Sequence, residues 1–157
     1  MIQPRATSRF RSDDGQALVE FALVLPIMLM LLFGIVELGR AYNYWVDQTH
    51  LANQAARFAT VDRSPSGGSI GAYVKAQGTT AELRNGSGQV GPALSICFSL
   101  PSGTSNVGDP VKVEAKSTFH WIPILGLGGL TTTNISGSAT MRIEKAPTSG
   151  AWGTGCT

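Results

Sequence analysis

The chain of 157 residues has few charged side chains, few histidines and few cysteines. Charged residues make up 14% of it, well below the roughly 25% of ordinary soluble domains. The formal net charge is +2 at pH 7, and no cluster of Lys and Arg is interleaved with aromatic residues. This combination argues against a nucleic-acid partner.

Side chains that carry catalysis are equally sparse. The two histidines, His50 and His120, have no Cys or carboxylate at metal-ligand spacing, and the chain has no P-loop, GxSxG or CxxC pattern. We therefore expect no enzyme activity, no metal and no cofactor. Both histidines are interpreted as surface or packing residues, and an anchored envelope enzyme is the least favoured class.

What the chain does have is one long apolar run near its N-terminus. The stretch from Ala17 to Val36 contains a single charge, Glu20, and at about 1.5 Å per helical residue it can cross a hydrocarbon core of about 30 Å. Three arginines precede the run within the first 11 residues, so the positive-inside rule places the N-terminus in the cytoplasm. The run is too long for a secretory signal and no A-x-A-like site follows it, which favours a retained anchor.

Helical spacing continues beyond the apolar run, because residues 41–61 contain no Pro or Gly and repeat apolar residues on one side. These are Tyr44, Leu51, Ala55 and Phe58, with Ala41, Trp45, Ala52, Ala56 and Ala59 adjacent. The pattern predicts one helix from about residue 17 to 61, with residues 16–38 in the membrane and 39–61 outside it.

Two features are expected where this helix would leave the membrane. Glu37 and Arg40 are three residues apart, which predicts an ion pair at the interface. Tyr42, Tyr44 and Trp45 fit an interfacial belt of aromatic side chains.

The rest of the chain predicts a connector and a small sheet. Residues 62–92 are interpreted as the connector, with a weak helix around 70–77 and a turn at 85–92, and residues 93–157 as the sheet domain with a flexible tail. Strand candidates are 93–100, 109–121 and 134–145, and an apolar, Gly-rich segment at 122–132 joins the last two.

Alternation in two of these strands defines a packed face. In the second strand Val111, Val113, Ala115, Ser117 and Phe119 share one face; in the third, Ile135, Gly137, Ala139, Met141 and Ile143 do. Period-two alternation with polar partners predicts an antiparallel sheet with one covered face, and the outer half of the long helix is the expected cover. The fold class is therefore α+β: a long N-terminal helix packed on a small antiparallel sheet.

The order of these features resembles the TadE-like pseudopilins of tight-adherence (Flp-type) pili, within the type IV prepilin family. The segments that carry the resemblance are GQALVEFALVLP (15–26), FGIVELGRA (33–41) and SGSATMRIE (136–144). The resemblance implies a leader peptide, residues 1–15, that a prepilin peptidase removes on the cytoplasmic side between Gly15 and Gln16. It also implies a pilin-like fold.

Cleavage at that bond would explain a carboxylate in the apolar run. The new α-amino group of Gln16 would lie about one helical turn from Glu20, and pairing makes a charge near lipid tolerable. Phe21 follows Glu20 directly, as the family's N-terminal box requires, whereas Gln16 departs from the Phe or Met usual at the first mature position. Pro26 predicts a kink in the helix.

By the same resemblance, the chain is a minor pseudopilin of the bacterial inner membrane that helps to initiate, prime or cap a pilus. Its implied partners are other pilins and pseudopilins, the prepilin peptidase and the pilus assembly platform. It would span the membrane once, with its C-terminal domain outside. The alternative is an uncleaved, membrane-anchored surface domain that acts as an adhesin or ligand-binding module.

The two cysteines, Cys97 and Cys156, are the only ones in the chain, and both fall in the half expected to face an oxidising compartment. We predict a disulfide between them, with Cys97 on the polar face of its strand beside Ser95 and Ser99. Two unrelated thiols, or a bridge between two molecules through Cys156, are the alternatives.

Overall fold

A computed structural model describes residues 12–65, 67–122, 131–147 and 155–157, with side chains from residue 15 onward. Contacts divide the chain after Val36 into two units. The elements, in chain order, are helices α1 (Ser12–Thr60), α2 (Ile70–Lys75) and α3 (Ala81–Asn85), then strands β1 (Ser95–Ser99), β2 (Pro110–His120), β3 (Thr132–Arg142) and β4 (Gly155–Cys156). The predicted α+β architecture of a long apolar helix followed by a small antiparallel sheet is confirmed.

The first unit contains the N-terminal part of α1, and the side chains described there form no core. All side chains from residue 15 to 33 are exposed, including large apolar ones such as Leu18, Phe21 and Ile27. Within the described residues α1 is the one helix long and apolar enough to cross a membrane. It begins at Ser12, several residues before the predicted start.

The second unit is built on a four-stranded sheet in the order β3-β2-β1-β4, with every neighbouring pair antiparallel. The predicted alternation is confirmed, because the inward side chains of β2 are all buried. These are Val111, Val113, Ala115, Ser117 and Phe119. On β3, Gly137 and Ala139 are buried, whereas Ile135 and Met141 are half-buried.

The outer half of α1 covers this face, as predicted. Its buried apolar side chains are Tyr44, Leu51, Ala52, Ala55, Ala56 and Ala59. Small alanines on this face allow the helix to lie close to the sheet. At Gly137 an added Cβ would lie 2.3 Å from the backbone nitrogen of Thr49. Buried Gln48 joins two strands: we orient its amide so that it donates to the Ile135 carbonyl (2.7 Å) and accepts from the Ser117 hydroxyl (2.7 Å).

Three details differ from the sequence-based expectation. Tyr44 is buried against Phe119, which agrees with its predicted place on the packed side of the helix and not with the aromatic belt. Trp45 is exposed, which agrees with the belt and not with the packed side. Residues 81–85 form α3, capped by the Thr80 hydroxyl and ended by Gly86 in a left-handed conformation, where only a turn was expected from 85 onward.

The tail also differs, because Gly155 and Cys156 add a fourth strand beside β1. Two sequence-based interpretations lie outside the described residues: most of the connection at 122–132, and Trp152 in the tail.

Candidate functional site

Gly15 and Gln16, the predicted cleavage position, lie within the first turns of α1. Both are exposed, and a Cβ added to Gly15 would meet no atom within 4 Å. Packing within the chain therefore does not require glycine at this position. A requirement for glycine would have to come from a partner such as a peptidase.

Glu20 lies one turn further along the same helix. Its Oε1 accepts a hydrogen bond from the Gln16 side-chain Nε2 at 3.0 Å. Phe21 beside it is 60% exposed. Gln16, which follows the predicted cleavage position, is thus a hydrogen-bond partner of this carboxylate.

Pro26 lies inside α1, which remains helical on both sides of it. Proline removes one helical hydrogen bond and crowds the preceding turn, so a kink there stays a prediction.

At the far end of the apolar run lies a group of polar residues that we call the polar cluster: Glu37, Arg40, Tyr44, Glu82 and Gln89. Glu37 is 1% exposed, and both of its oxygens accept hydrogen bonds from Gln89 Nε2, at 2.8 and 2.9 Å. Arg40 pairs instead with Glu82, with 3.3 Å between Nη2 and Oε2. The predicted Glu37–Arg40 ion pair is therefore wrong, because each residue finds its partner in the connector.

Tyr44 completes the polar cluster by donating its hydroxyl to Glu82. Burial and this hydrogen bond raise the pKa of Tyr44 above its ordinary value, although Arg40 opposes the shift. Burial lowers the pKa of Arg40, but Tyr44 and the carboxylates of Glu82 and Glu37 outweigh it and raise the pKa. Arg40 is therefore positively charged throughout the physiological range.

The connector is attached to α1 at two further points. Asp47 accepts from the Thr79 backbone nitrogen at 2.8 Å and from the Thr79 hydroxyl at 2.7 Å. The amide of Gln54 donates to Gln77 at 2.6 Å. Together with the polar cluster, these contacts bind residues 77–89 along the outer half of α1.

The two cysteines lie opposite each other on β1 and β4. The structure joins Cys97 and Cys156 as a disulfide, with 4.0 Å between the Cα atoms. Ile96 and Thr157 exchange backbone hydrogen bonds beside the bridge, at 3.0 and 3.3 Å. The bridge and this pair together hold the tail against β1.

The described ranges contain no candidate metal centre. No group of three or more His, Cys, Asp or Glu could hold a metal ion there. His120 contacts the Gly91 carbonyl at 3.3 Å, and His50 lies exposed on α1.

Residues 15–59 match the family model described as TadE-like protein. The chain carries a TadE-like helix. The matched segment begins at Gly15 and ends one residue before α1 does, so the predicted resemblance is confirmed over the helix. The family is associated with the tight-adherence pilus system and is structural. No curated protein and no solved structure matches the chain.

The TadE-like helix supplies Glu37, Arg40 and Tyr44 to the polar cluster, whereas their partners come from outside the matched segment. Glu82 and Gln89 lie in residues 62–92, where the sequence shows little periodicity. One local signal was available, since Thr80 and Gly86 are typical residues for the start and end of a short helix. No sequence pattern indicated that Gln89 would meet Glu37.

Proposed function

We propose that the chain is a minor pseudopilin of a tight-adherence pilus, cut between Gly15 and Gln16 before assembly. The observation that carries the proposal is the extent of the TadE-like match, which starts at Gly15, the first residue of the predicted cleavage box. Among the described residues, a Cβ added to this glycine would meet no atom within 4 Å, which supports a role outside the packing of the chain. The apolar surface that follows it suits a membrane and not a protein core.

Cleavage gives Glu20 a stronger partner than it has in the uncut chain. Before cleavage, the Glu20 carboxylate accepts a hydrogen bond from the neutral side-chain amide of Gln16 at 3.0 Å. After cleavage the α-amino group of the same residue, Gln16, carries a positive charge about one turn away, within one subunit or from a neighbour. An ion pair lowers the free-energy cost of keeping the Glu20 carboxylate near lipid. If the α-amino group comes from a neighbouring subunit, the pairing also fixes the axial position of one subunit relative to the next.

The proposed topology follows from the charges around the apolar run. The arginine-rich start stays in the cytoplasm, residues 16–38 span the inner membrane, and the domain that follows lies outside. That exported domain is larger than the bulk subunits of such pili, which favours initiation, priming or capping. The partners are other pilins and pseudopilins, the prepilin peptidase and the assembly platform.

The mature N-terminus tests the proposal most directly. Intact-mass analysis and N-terminal sequencing of protein from the membranes of peptidase-positive cells should give a chain that starts at Gln16. The matched control is the same strain without the peptidase, which should retain Met1. If protein from both strains begins at Met1, the uncleaved adhesin or ligand-binding module becomes the better explanation.

A further inference from the structure

A groove with a volume of about 420 Å³ lies beside α1, within the second unit. Its lining combines apolar surface with polar groups and holds one positive and one negative charge. Gly39, Arg40, Asn43 and Tyr44 come from α1, with Thr80, Ala81 and Glu82 opposite them. A groove with an arginine, an amide and a hydroxyl offers donors to an anion.

Arg40 is only partly used by its protein partner. Its Nη2 lies 3.3 and 3.4 Å from the Glu82 oxygens, longer than the roughly 2.7–2.9 Å of a strong charge-assisted hydrogen bond. Tyr44 also interacts with the guanidinium, but 41% of the Arg40 side chain is exposed, so part of it can still contact a group outside the chain. Glu82 also accepts from the Tyr44 hydroxyl, so it keeps a partner when Arg40 binds something else.

The position of Arg40 along the chain decides which anion it meets. It is the first basic residue after the apolar run and follows the proposed membrane span, 16–38, by two residues. Tyr42 and Trp45 on the next turn are 65% and 45% exposed, with ring centroids 5.7 Å apart. Exposed Tyr and Trp are typical of the headgroup level of a bilayer.

We propose that this groove binds the phosphodiester of a membrane phospholipid. The Arg40 guanidinium is the main ligand, since its planar fork matches phosphate oxygens, and Asn43 and Thr80 line the same groove as further donors. The inference rests on the proposed membrane anchoring of residues 16–38. It does not depend on cleavage or on pilus assembly.

The test uses the full-length chain, reconstituted in nanodiscs of phosphatidylglycerol and phosphatidylcholine and then released into mild detergent for native mass spectrometry. The measured quantity is the fraction of protein that retains one phospholipid. Arg40→Gln should lower this fraction at least threefold, and Arg40→Lys should give an intermediate value. Arg57→Gln, an exposed arginine further along α1, is the matched control and should behave as wild type.

Glu82→Gln separates the phosphate site from a structural ion pair. If Arg40 serves only to pair with Glu82, both variants disturb the same contact and shift lipid retention in the same direction. If Arg40 binds phosphate, Glu82→Gln releases the arginine from its competitor and retention rises. Retention that is equal in wild type and Arg40→Gln, or lowered by Glu82→Gln, overturns the proposal.

Two further measurements identify the source of the phosphate and show whether a negative result reflects failed membrane insertion or failed lipid binding. Inorganic phosphate at millimolar concentration should leave lipid retention unchanged; displacement of the lipid would assign the groove to a free anion instead. Protease protection in the nanodiscs reports insertion. If the protein does not insert, both the proposed membrane anchor and this inference are wrong. If it inserts but Arg40→Gln retains as much phospholipid as wild type, this inference alone is wrong.

Discussion

Two carboxylates mark the two ends of the apolar run, and their surroundings differ. Glu20 is exposed and held by one amide within its own helix, at 3.0 Å. Glu37 is 1% exposed and held by Gln89, distant in the chain. At the first position the protein leaves the charge open for a new partner, and at the second it satisfies the charge internally. We therefore expect substitutions at Glu20 to affect assembly and substitutions at Glu37 to affect folding.

Gly15→Val should leave the leader attached. An added Cβ meets no described atom within 4 Å, so we expect folding to be little affected, whereas the bulkier side chain should obstruct a peptidase subsite that accepts glycine. Intact-mass analysis of membrane protein from peptidase-positive cells checks this. Gly34→Val, also without neighbours within 4 Å, is the control and should be processed normally. Efficient processing of Gly15→Val would contradict the proposed site.

Glu20→Val should improve membrane insertion and impair pilus assembly. It removes a charge that costs roughly 2.5–3.5 kcal/mol at mid-membrane, yet it leaves the Gln16 amine without its carboxylate. Cleavage should persist, because the scissile bond is a full turn away. Piliation and N-terminal mass are measured together, with Glu20→Asp as the charge-preserving control. Wild-type piliation with Glu20→Val would disprove the ion-pair account.

The raised pKa of Tyr44 predicts that the folded protein loses stability at strongly alkaline pH. The pKa of Tyr44 is higher in the folded state than its ordinary value of 10.0. The neutral hydroxyl therefore contributes its full stabilisation below pH 10.0, and this stabilisation is lost as the pH rises through the pKa of the folded state. Tyr44→Phe should flatten this alkaline decline, whereas Tyr42→Phe, at an exposed ring, should not. Thermal unfolding of the full chain in detergent at a series of pH values above 9 is the measurement. Identical declines in both variants would rule out Tyr44 as the source.

At the scale of elements, close contact between α1 and β3 depends on Gly137. Gly137→Ala should destabilise the second unit by about 1–3 kcal/mol, the usual cost of overpacking. The reason is that its Cβ would lie 2.3 Å from the Thr49 nitrogen, which belongs to helix backbone and not to a movable side chain. Ser138→Ala, exposed on the other face of β3, is the control. A melting temperature unchanged by Gly137→Ala would show that α1 can move away at no cost.

The periodic spacing of apolar residues predicted the long helix and the longer strands, but it did not predict the shortest elements. The alternation in β2 and β3 and the helical repeat in residues 44–59 identified the core faces, because burial selects apolar residues at fixed spacing. The short elements α3 and β4, with five and two residues, are too brief to show a period. The partners of Glu37 and Arg40 could not be predicted from local spacing either, since both come from tertiary contacts tens of residues away.

For the whole molecule, the disulfide between Cys97 and Cys156 should form in the mature protein. It closes a loop with a sequence separation of 59, and the chain-entropy estimate for such a loop is about 4 kcal/mol. Cys156→Ser should lower the unfolding free energy by up to that amount, and the double variant with Cys97→Ser should lower it no further. Peptide mapping without reductant, with alkylation at lysis, identifies the linkage. Free thiols at both positions, or a dimer linked through Cys156, would refute it.

The contact between Glu37 and Gln89, 52 residues apart, sets an order of events during biosynthesis. If the N-terminus stays in the cytoplasm and the domain after residue 38 is exported as it is synthesised, Glu37 is in place before its partner Gln89 has been exported. The strand beside β1 uses residues 155–157, so the sheet is completed only after those residues have also been exported. For that interval the nascent domain would expose an unpaired carboxylate and an open strand edge, and a chaperone on that side of the membrane would then have the largest surface to bind.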